Sequence, residues 1–305
     1  MGFWKGRDVI SARGVSREQL EEVLALAREF DPVAKGRTGV NWLDGMILAT
    51  LFFEPSTRTQ LSFRTAMLRL GGSVIGFSGE SGTSVSKGES LHDTIKLVEA
   101  CANAIVIRHP CEGSAQLAAE ASGVPVINAG DGSNQHPTQA LVDLFTILSE
   151  KQRIDGLKVL FAGDLKFGRT VHSLAYALSS FDVELELYSP PSLRMPAAVV
   201  GEVREKIPVS ETSVLDVSNA DVVYATRVQK ERFDSVEEYE KGAYCITPEV
   251  MGKMRKDAVL MHPLPKITEI AAGVEADARA AFYRQEANGV PVRMALLAKV
   301  LGEKR

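Results

Sequence analysis

Four arginines of this 305-residue chain each follow a short apolar segment and could together bind more than one anionic group. They are Arg58, Arg108, Arg169 and Arg227. A guanidinium group binds a phosphate or carboxylate through two parallel hydrogen bonds. The chain as a whole carries a net charge of −4. These cations therefore predict a local anion pocket, and no binding to nucleic acid or to an anionic membrane is expected.

Three hydroxyl groups surround the first of these arginines. Ser56, Thr57 and Thr59 flank Arg58 directly after an apolar run. A helix is predicted from Thr57 to Leu70, with Ser56 as its capping residue. Backbone N–H groups at a helix start attract anions, so the segment fits a phosphate. A capped helix with an exposed arginine is the alternative interpretation.

Two further polar segments follow predicted strands in the first half of the chain. Arg108 comes directly after the apolar segment Ala104 to Ile107, and His136 and Gln139 stand one helical turn apart after another strand. A lone arginine or histidine is often structural. The position of these residues at strand ends, where α/β sheets bind ligands, favours a role in binding.

The second half of the chain has a similar arrangement. A strand, a glycine-bearing loop and a helix lead to Arg169, an order typical of a dinucleotide site. The Gly-x-Gly-x-x-Gly spacing is absent, which leaves a nicotinamide oxidoreductase as a weak alternative. Two prolines after His262 predict a rigid loop, whose backbone carbonyl groups could face a ligand.

The elements that position these residues alternate between strand and helix in both halves. This rhythm predicts an α/β protein of two domains, each a parallel sheet flanked by helices, with the active site in the cleft between them. We predict a first domain at 1–150, completed by a C-terminal helix at about 290–305, and a second domain at 151–289. The predicted strands are 46–53, 73–77, 104–107, 124–128, 157–162, 183–188, 221–225 and 258–261. The predicted helices are 16–30, 57–70, 91–100, 114–122, 136–149, 170–181, 197–206 and 292–301.

The amino-acid composition limits the structural class of the protein and the cellular compartment expected for it. A hydrophobic fraction of 45% with 24% charged residues excludes a disordered or fibrous chain. The three cysteines form no Cys-x-x-Cys pair, and no secretory signal or membrane-length apolar run is visible, so a cytoplasmic protein is expected. The five histidines are scattered without metal-ligand spacing. No metal and no cofactor are expected.

Six motifs in order along essentially the whole chain resemble the aspartate/ornithine carbamoyltransferase family. Four of them are typical of carbamoyltransferases in general: Ser56 to Thr59, Arg108 to Pro110, His136 to Gln139 and His262 to Pro265. Two others, Gly163 to Ser173 and Thr226 to Arg232, resemble the aspartate branch of that family. The resemblance implies carbamoyl transfer from carbamoyl phosphate to the amino group of L-aspartate, in pyrimidine (UMP) biosynthesis.

The resemblance also implies a role for each site residue. The phosphate of carbamoyl phosphate would be bound by Ser56, Thr57, Arg58 and Thr59. Its carbonyl oxygen would be contacted by Thr59, Arg108 and His136, and its amino group by Gln139 and the backbone carbonyls of Leu264 and Pro265. The two carboxylates of aspartate would be bound by Arg169, Arg227 and Gln229. The residues expected to act in catalysis are Arg58, Thr59, Lys87, Arg108 and His136.

Family members share their active sites between subunits of a trimer. A loop of the neighbouring subunit supplies a serine and a lysine, which here match Ser84 and Lys87, and Lys87 would also contact aspartate. The segment from Arg108 to Ala115 resembles the region that contacts a regulatory chain in relatives that have one. Cys111 and Ser114 depart from the usual residues of that region. A homotrimer is expected, and a regulatory chain would give a larger hetero-oligomer.

Two alternatives within the family are less well matched. Ornithine carbamoyltransferases normally have a cysteine in the place of Pro263 and a Ser-Met-Gly loop, and this chain has neither. An amine-bearing side chain would also fit poorly between Arg169 and Arg227. A non-catalytic scaffold relative should have lost site residues, yet all of those that the motifs predict are present.

Overall fold

The computed structural model describes residues 3–79, 81, 83–228 and 244–302. The chain divides into two compact units, Met1–Phe145 with Asn288–Arg305, and Thr146–Ala287. Each unit contains one parallel β-sheet. Within the described ranges, no helix is both long enough and apolar enough to cross a membrane.

The first unit is built on a four-stranded sheet with the strand order β2-β1-β3-β4. Its strands are β1 (Ile47–Phe52), β2 (Ser73–Ser78), β3 (Ala104–His109) and β4 (Val126–Asp131). Its helices are α1 (Arg17–Ala34), α2 (Thr57–Arg69), α3 (Leu91–Glu99) and α4 (Ser114–Ala121), and α5 (Pro137–Lys151) begins there. The C-terminal helix α10 (Gly289–Leu301) packs against α1 and α2. Strand β1 and the first four residues of β3 are mostly apolar and buried, as expected for a parallel sheet covered on both faces.

The second unit contains a five-stranded sheet with the strand order β7-β6-β5-β8-β9. Its strands are β5 (Leu157–Ala162), β6 (Val183–Tyr188), β7 (Val209–Thr212), β8 (Val222–Ala225) and β9 (Val259–Met261). Its described helices include α6 (Arg169–Leu178), α7 (Ala197–Arg204), α8 (Pro248–Lys253) and α9 (Phe282–Ala287). Strand β8 is buried along its whole length, between β5 and β9.

The strand order of each sheet creates one place where neighbouring strands lead away in opposite directions. In the first sheet this switch point lies between β1 and β3, and in the second it lies between β5 and β8. Loops leaving the carboxyl ends of two such strands diverge and leave a crevice, which is where open α/β sheets bind ligands. The two switch points are therefore the expected positions of a ligand site.

The predicted elements are confirmed, with shifts of a few residues at their ends. The fourth strand lies at Val126–Asp131 instead of 124–128, because polar Asn128 and Asp131 are held inside by hydrogen bonds that the strand pattern does not reveal. Strand β7 and the short helices α8 and α9 were missed. Strand β7 is a four-residue edge strand without buried residues, so it lacks the apolar signal of a buried strand.

Candidate functional site

The hydroxyl-rich turn, Ser56 to Thr59, follows the carboxyl end of β1, beside the first switch point. Ser56 is the N-cap residue of α2 by position, but its side chain makes no capping hydrogen bond, contrary to the predicted cap. Within the described ranges, the hydroxyls of Ser56, Thr57 and Thr59 form no hydrogen bond, although Thr59 is buried. The turn thus presents Arg58, three unused hydroxyls and the N–H groups of a helix start, all of which suit a phosphate.

Arg108 lies on the other side of the same switch point, at the end of β3. It is paired in register with Phe52 of β1, and its backbone carbonyl accepts a hydrogen bond from Phe53 N. Its Nε lies 3.2 Å from a carboxylate oxygen of Glu54, and its Nη1 donates to the carbonyl of Ala129 at 3.4 Å. The guanidinium is therefore held between the ends of β1 and β4, next to the hydroxyl-rich turn.

Buried Asp131 organises the loop that carries His136. Its carboxylate accepts hydrogen bonds from Asn128 Nδ2 (2.8 Å) and from the backbone N–H groups of Gly113 (2.9 Å) and Gln135 (3.1 Å). The loop is thereby tied to the chain that follows β3. His136 is buried at the start of α5, at the carboxyl edge of β4.

Gln139 is oriented by a buried carboxylate. Its Nε2 donates to Oδ1 of Asp143 at 2.8 Å, and Asp143 is completely buried. Since the amide NH₂ is used in this way, the Oε1 atom is the acceptor that remains for a ligand. This orientation suits the expected contact with an amino group.

Ser84 and Lys87 lie in a single 3-10 turn, Ser84–Lys87, after β2. Both side chains are exposed, and neither has a hydrogen-bond or ion-pair partner among the described residues. The structure leaves them on the surface of the first unit, available to a ligand or to another chain.

Arg169 begins α6 at the second switch point, after the loop that leaves β5. Fully buried Asp164 shapes this loop, because its Oδ1 accepts from the backbone N–H groups of Lys166 (3.1 Å) and Phe167 (2.9 Å). Gly168 is required at the helix start, since a Cβ there would lie 2.5 Å from the carbonyl oxygen of Asp164. The tight turn brings the Arg169 side chain to the edge of the sheet.

Arg227 lies one residue after Thr226, at the end of β8 on the other side of the second switch point. The Thr226 backbone N–H donates to the carbonyl of Ala162, the last residue of β5, at 2.8 Å. Arg169 and Arg227 thus follow two adjacent strands of one sheet. The third residue expected to bind aspartate, Gln229, lies outside the described residues.

Leu264 and Pro265 follow β9, the neighbour of β8. Their peptide bond is cis, and Leu264 has a left-handed backbone conformation with φ of 54°. The Leu264 N–H donates to Nδ1 of buried His262 at 2.8 Å, so the ring proton of His262 is on Nε2. That Nε2 lies 2.8 Å from a carboxylate oxygen of Glu269. Within the described ranges, no hydrogen bond engages the carbonyls of Leu264 and Pro265.

Glu269 is buried and remains ionised near neutral pH. Burial works to raise the pKa of this carboxyl, but the contact with His262 and the backbone N–H groups that it accepts outweigh burial, so the pKa lies below its ordinary value. A carboxylate with a lowered pKa stabilises the fold above the ordinary glutamate value, about pH 4.3. That contribution is lost as the pH falls through the lowered pKa.

We expect Glu269→Gln to lower the free energy of unfolding at pH 7 by about 1–3 kcal/mol, because charge-assisted hydrogen bonds to buried groups are lost. The difference from the parent chain should shrink as the pH falls from about 4.3 through the lowered pKa of Glu269, where the parent carboxylate also becomes protonated. Urea unfolding at a series of pH values measures this, with exposed Glu275→Gln as the matched control. A pH-independent difference would contradict the ionised state of Glu269.

Three residues that contact or position predicted site residues, each within its own unit, were not identified from the sequence as functional. Glu54 pairs with Arg108, Asp131 holds the His136 loop, and Glu269 supports the loop of Leu264. Asp131 carried a weak signal, because it lies between two glycines in a polar segment directly after a strand. Among the described residues, no group of three or more histidine, cysteine, aspartate or glutamate side chains could hold a metal ion.

Two family models match the chain. Residues 7–149 match the family model of the aspartate/ornithine carbamoyltransferase carbamoyl-P binding domain, and residues 155–300 match that of the Asp/Orn binding domain. The chain belongs to the aspartate/ornithine carbamoyltransferase family.

Individual relatives are similar over nearly the whole length. The aspartate carbamoyltransferase catalytic subunit of Thermococcus kodakarensis is 56% identical over 304 residues, covering 98% of each chain. The solved catalytic subunit of M. jannaschii aspartate transcarbamoylase is 48% identical with a TM-score of 0.89, covering 97% of this chain and 98% of that one. The Trypanosoma cruzi enzyme in complex with carbamoyl phosphate and aspartate is 36% identical with a TM-score of 0.93, covering 98% of each chain.

Proposed function

We propose that this chain is the catalytic subunit of an aspartate carbamoyltransferase. It transfers the carbamoyl group of carbamoyl phosphate to the amino group of L-aspartate and releases N-carbamoyl-L-aspartate and phosphate. The observation that carries the proposal is the position of the anion-binding groups at both switch points. The hydroxyl-rich turn and Arg108 flank the first, and Arg169 and Arg227 flank the second.

The chemistry follows from these residues. The aspartate nitrogen attacks the carbonyl carbon, and the carbonyl oxygen becomes an oxyanion. The carbon–oxygen bond to phosphate then breaks, its electron pair leaves with the phosphate, and the phosphate takes up the proton that the nitrogen loses. Thr59, Arg108 and His136 stabilise the oxyanion as its charge develops, an effect worth about 3–4 kcal/mol for each such donor. Arg58 neutralises the departing phosphate.

Orientation supplies much of the remaining rate enhancement. Gln139 Oε1 and the carbonyls of Leu264 and Pro265 accept hydrogen bonds from the carbamoyl NH₂ group and so fix the plane of the carbonyl. Arg169, Arg227 and Gln229 hold the two aspartate carboxylates, which leaves the amine as the reactive end. Holding two reactants in register makes the reaction effectively intramolecular. The reaction needs no protein nucleophile, and the proposal includes no metal or cofactor.

A bisubstrate compound tests the proposal by binding. N-(phosphonacetyl)-L-aspartate, the ligand of one solved Trypanosoma cruzi relative, combines a phosphonate with the two carboxylates of aspartate. Calorimetry should give binding far tighter than that of phosphate or succinate alone, and steady-state inhibition should be competitive with carbamoyl phosphate. Binding no tighter than that of phosphate would contradict a site that receives both substrates.

We further propose a homotrimer whose active sites are completed by Ser84 and Lys87 of a neighbouring subunit. The exposure of both side chains, and their lack of partners within the described part of the chain, support this role.

We also propose that a regulatory chain binds near the segment from Arg108 to Ala115. The exposed free cysteines Cys101 and Cys111 fit a reducing cytoplasm, where pyrimidine (UMP) synthesis would use the product.

Complementation between variants tests the shared site. Lys87→Ala and His136→Ala should each be nearly inactive, because each lacks one part of every site. Trimers reassembled from a mixture of the two should regain activity, since some sites combine the intact loop of one subunit with the intact His136 of another. Mixing Arg58→Ala with His136→Ala is the control and should restore nothing. Full turnover by Lys87→Ala alone would exclude the role of the loop.

A further inference from the structure

Tyr244 joins the ends of two neighbouring strands through its hydroxyl group. Its Oη lies 2.8 Å from the carbonyl oxygen of Ala162, the last residue of β5, and 2.8 Å from that of Thr226, directly after β8. Tyr244 Oη also accepts a hydrogen bond from the backbone N–H of Thr226 at 2.9 Å. One side chain thus contacts three backbone groups on the two sides of the second switch point.

The ring of Tyr244 packs against Gly163, where there is no room for a side chain. Gly163 has φ of +116°, and a Cβ there would lie 2.6 Å from both Tyr244 Cε1 and the Thr226 carbonyl oxygen. The Thr226 hydroxyl adds hydrogen bonds to the carbonyls of Ala162 (3.1 Å) and Asp164 (3.3 Å). We name Tyr244, Thr226 and Gly163 the strand-end clasp.

The strand-end clasp is directly connected to both arginines of the proposed aspartate half-site. Arg227 is the next residue after Thr226. Arg169 is reached through Asp164, whose carboxylate holds the turn and whose carbonyl oxygen limits residue 168 to glycine. A change in the spacing of the two strand ends would therefore move the two guanidinium groups relative to each other.

We propose that the Tyr244 hydroxyl is a positioning group that sets the spacing of Arg169 and Arg227 and thereby the affinity for the dicarboxylate substrate. This inference rests on the proposed function and deepens it, because it assigns a residue to aspartate recognition that does not itself touch aspartate. Two carboxylates on a short carbon chain need two guanidiniums at a fixed separation. Independently, burial raises the pKa of Tyr244 well above its ordinary value, so the hydroxyl keeps its proton at physiological pH.

Tyr244→Phe removes the hydroxyl and keeps the ring. We expect the KM for aspartate to rise about tenfold, which corresponds to ~1.4 kcal/mol of binding. The KM for carbamoyl phosphate and the kcat at saturating aspartate should stay close to the parent values. A merely structural role would instead lower the melting temperature and the active fraction without separating the two KM values.

Tyr188→Phe is the matched control. Its ring lies edge-on to that of Tyr244 at 6.0 Å, but its hydroxyl has no hydrogen-bond partner in the part of the chain that is described. Both KM values of this variant should equal those of the parent. An equal rise in the aspartate KM for both variants would overturn the proposal, because it would trace the effect to the aromatic packing.

Thr226 provides a second variant if Tyr244→Phe does not fold. Thr226→Val removes the hydroxyl bonds of the strand-end clasp and should raise the aspartate KM selectively, whereas Thr226→Ser should restore it. An unchanged aspartate KM in a folded Tyr244→Phe or Thr226→Val variant would overturn the inference while leaving the proposed function intact. A parent chain that does not carbamoylate aspartate would instead contradict the proposed function.

Discussion

Arg108→Ala should reduce kcat about 10²–10³-fold, the loss that follows removal of one oxyanion-stabilising donor. Arg108 lies where β1, β3 and β4 end, and it is held by Glu54 and by the carbonyl of Ala129. Its guanidinium can therefore stabilise the developing oxyanion without first reorganising. The substitution leaves the backbone pairing of β3 with β1 in place, so the effect should appear in the rate and not in the fold.

Steady-state kinetics with both substrates measure this effect, with circular dichroism as the check on folding. Arg28→Ala removes an exposed arginine from α1 of the same unit and should leave kcat unchanged. Arg108→Lys keeps the charge but loses the fork of donors, and it should recover only part of the rate. A higher KM for carbamoyl phosphate with an unchanged kcat would show that Arg108 binds ground state and transition state equally.

Arg227→Ala should raise the KM for aspartate by about 10²-fold or more, because losing one partner of a hydrogen-bonded charge pair costs about 2–5 kcal/mol. The residue follows β8 directly and lies across the second switch point from Arg169. We propose that carbamoyl phosphate is bound mainly by the hydroxyl-rich turn, Arg108 and His136. Its KM should therefore change little.

Initial-rate measurements at varied aspartate and fixed, saturating carbamoyl phosphate give this KM. The control is Arg204→Ala, which removes an arginine of the same unit that is half-exposed and bonded to Glu211. It should leave both KM values unchanged. If Arg227→Ala altered the two KM values equally, Arg227 would not be specific to the second substrate.

The sequence located the candidate site because of a general property of parallel sheets. Ligands bind at the carboxyl ends of the strands, and Ser56, Arg108 and Arg227 all follow apolar segments that are easily identified as strands. The order of the strands within each sheet could not be predicted from the sequence in this way. Only the pairing of β1 with β3 and of β5 with β8 establishes that each pair of polar segments flanks a switch point.

Residues that act through long-range contacts carried no sequence signal. Tyr244 contacts a carbonyl 82 residues earlier in the chain, and no local pattern marks it. Glu269 is similar, because its burial beside His262 follows from tertiary packing. For Ser56 the capping preference of serine predicted a bond to the helix start, yet the hydroxyl makes no such bond. The intrinsic capping preference of serine therefore does not decide what its hydroxyl contacts in this turn.

The most direct test of the central claim is product formation by the purified chain from carbamoyl phosphate, with L-aspartate and L-ornithine offered separately. We expect N-carbamoyl-L-aspartate and phosphate in equal amounts with aspartate, and no citrulline with ornithine. Citrulline formation would contradict the assignment of Arg169 and Arg227 to a dicarboxylate. The absence of both products from an assembled trimer would contradict the proposed activity itself.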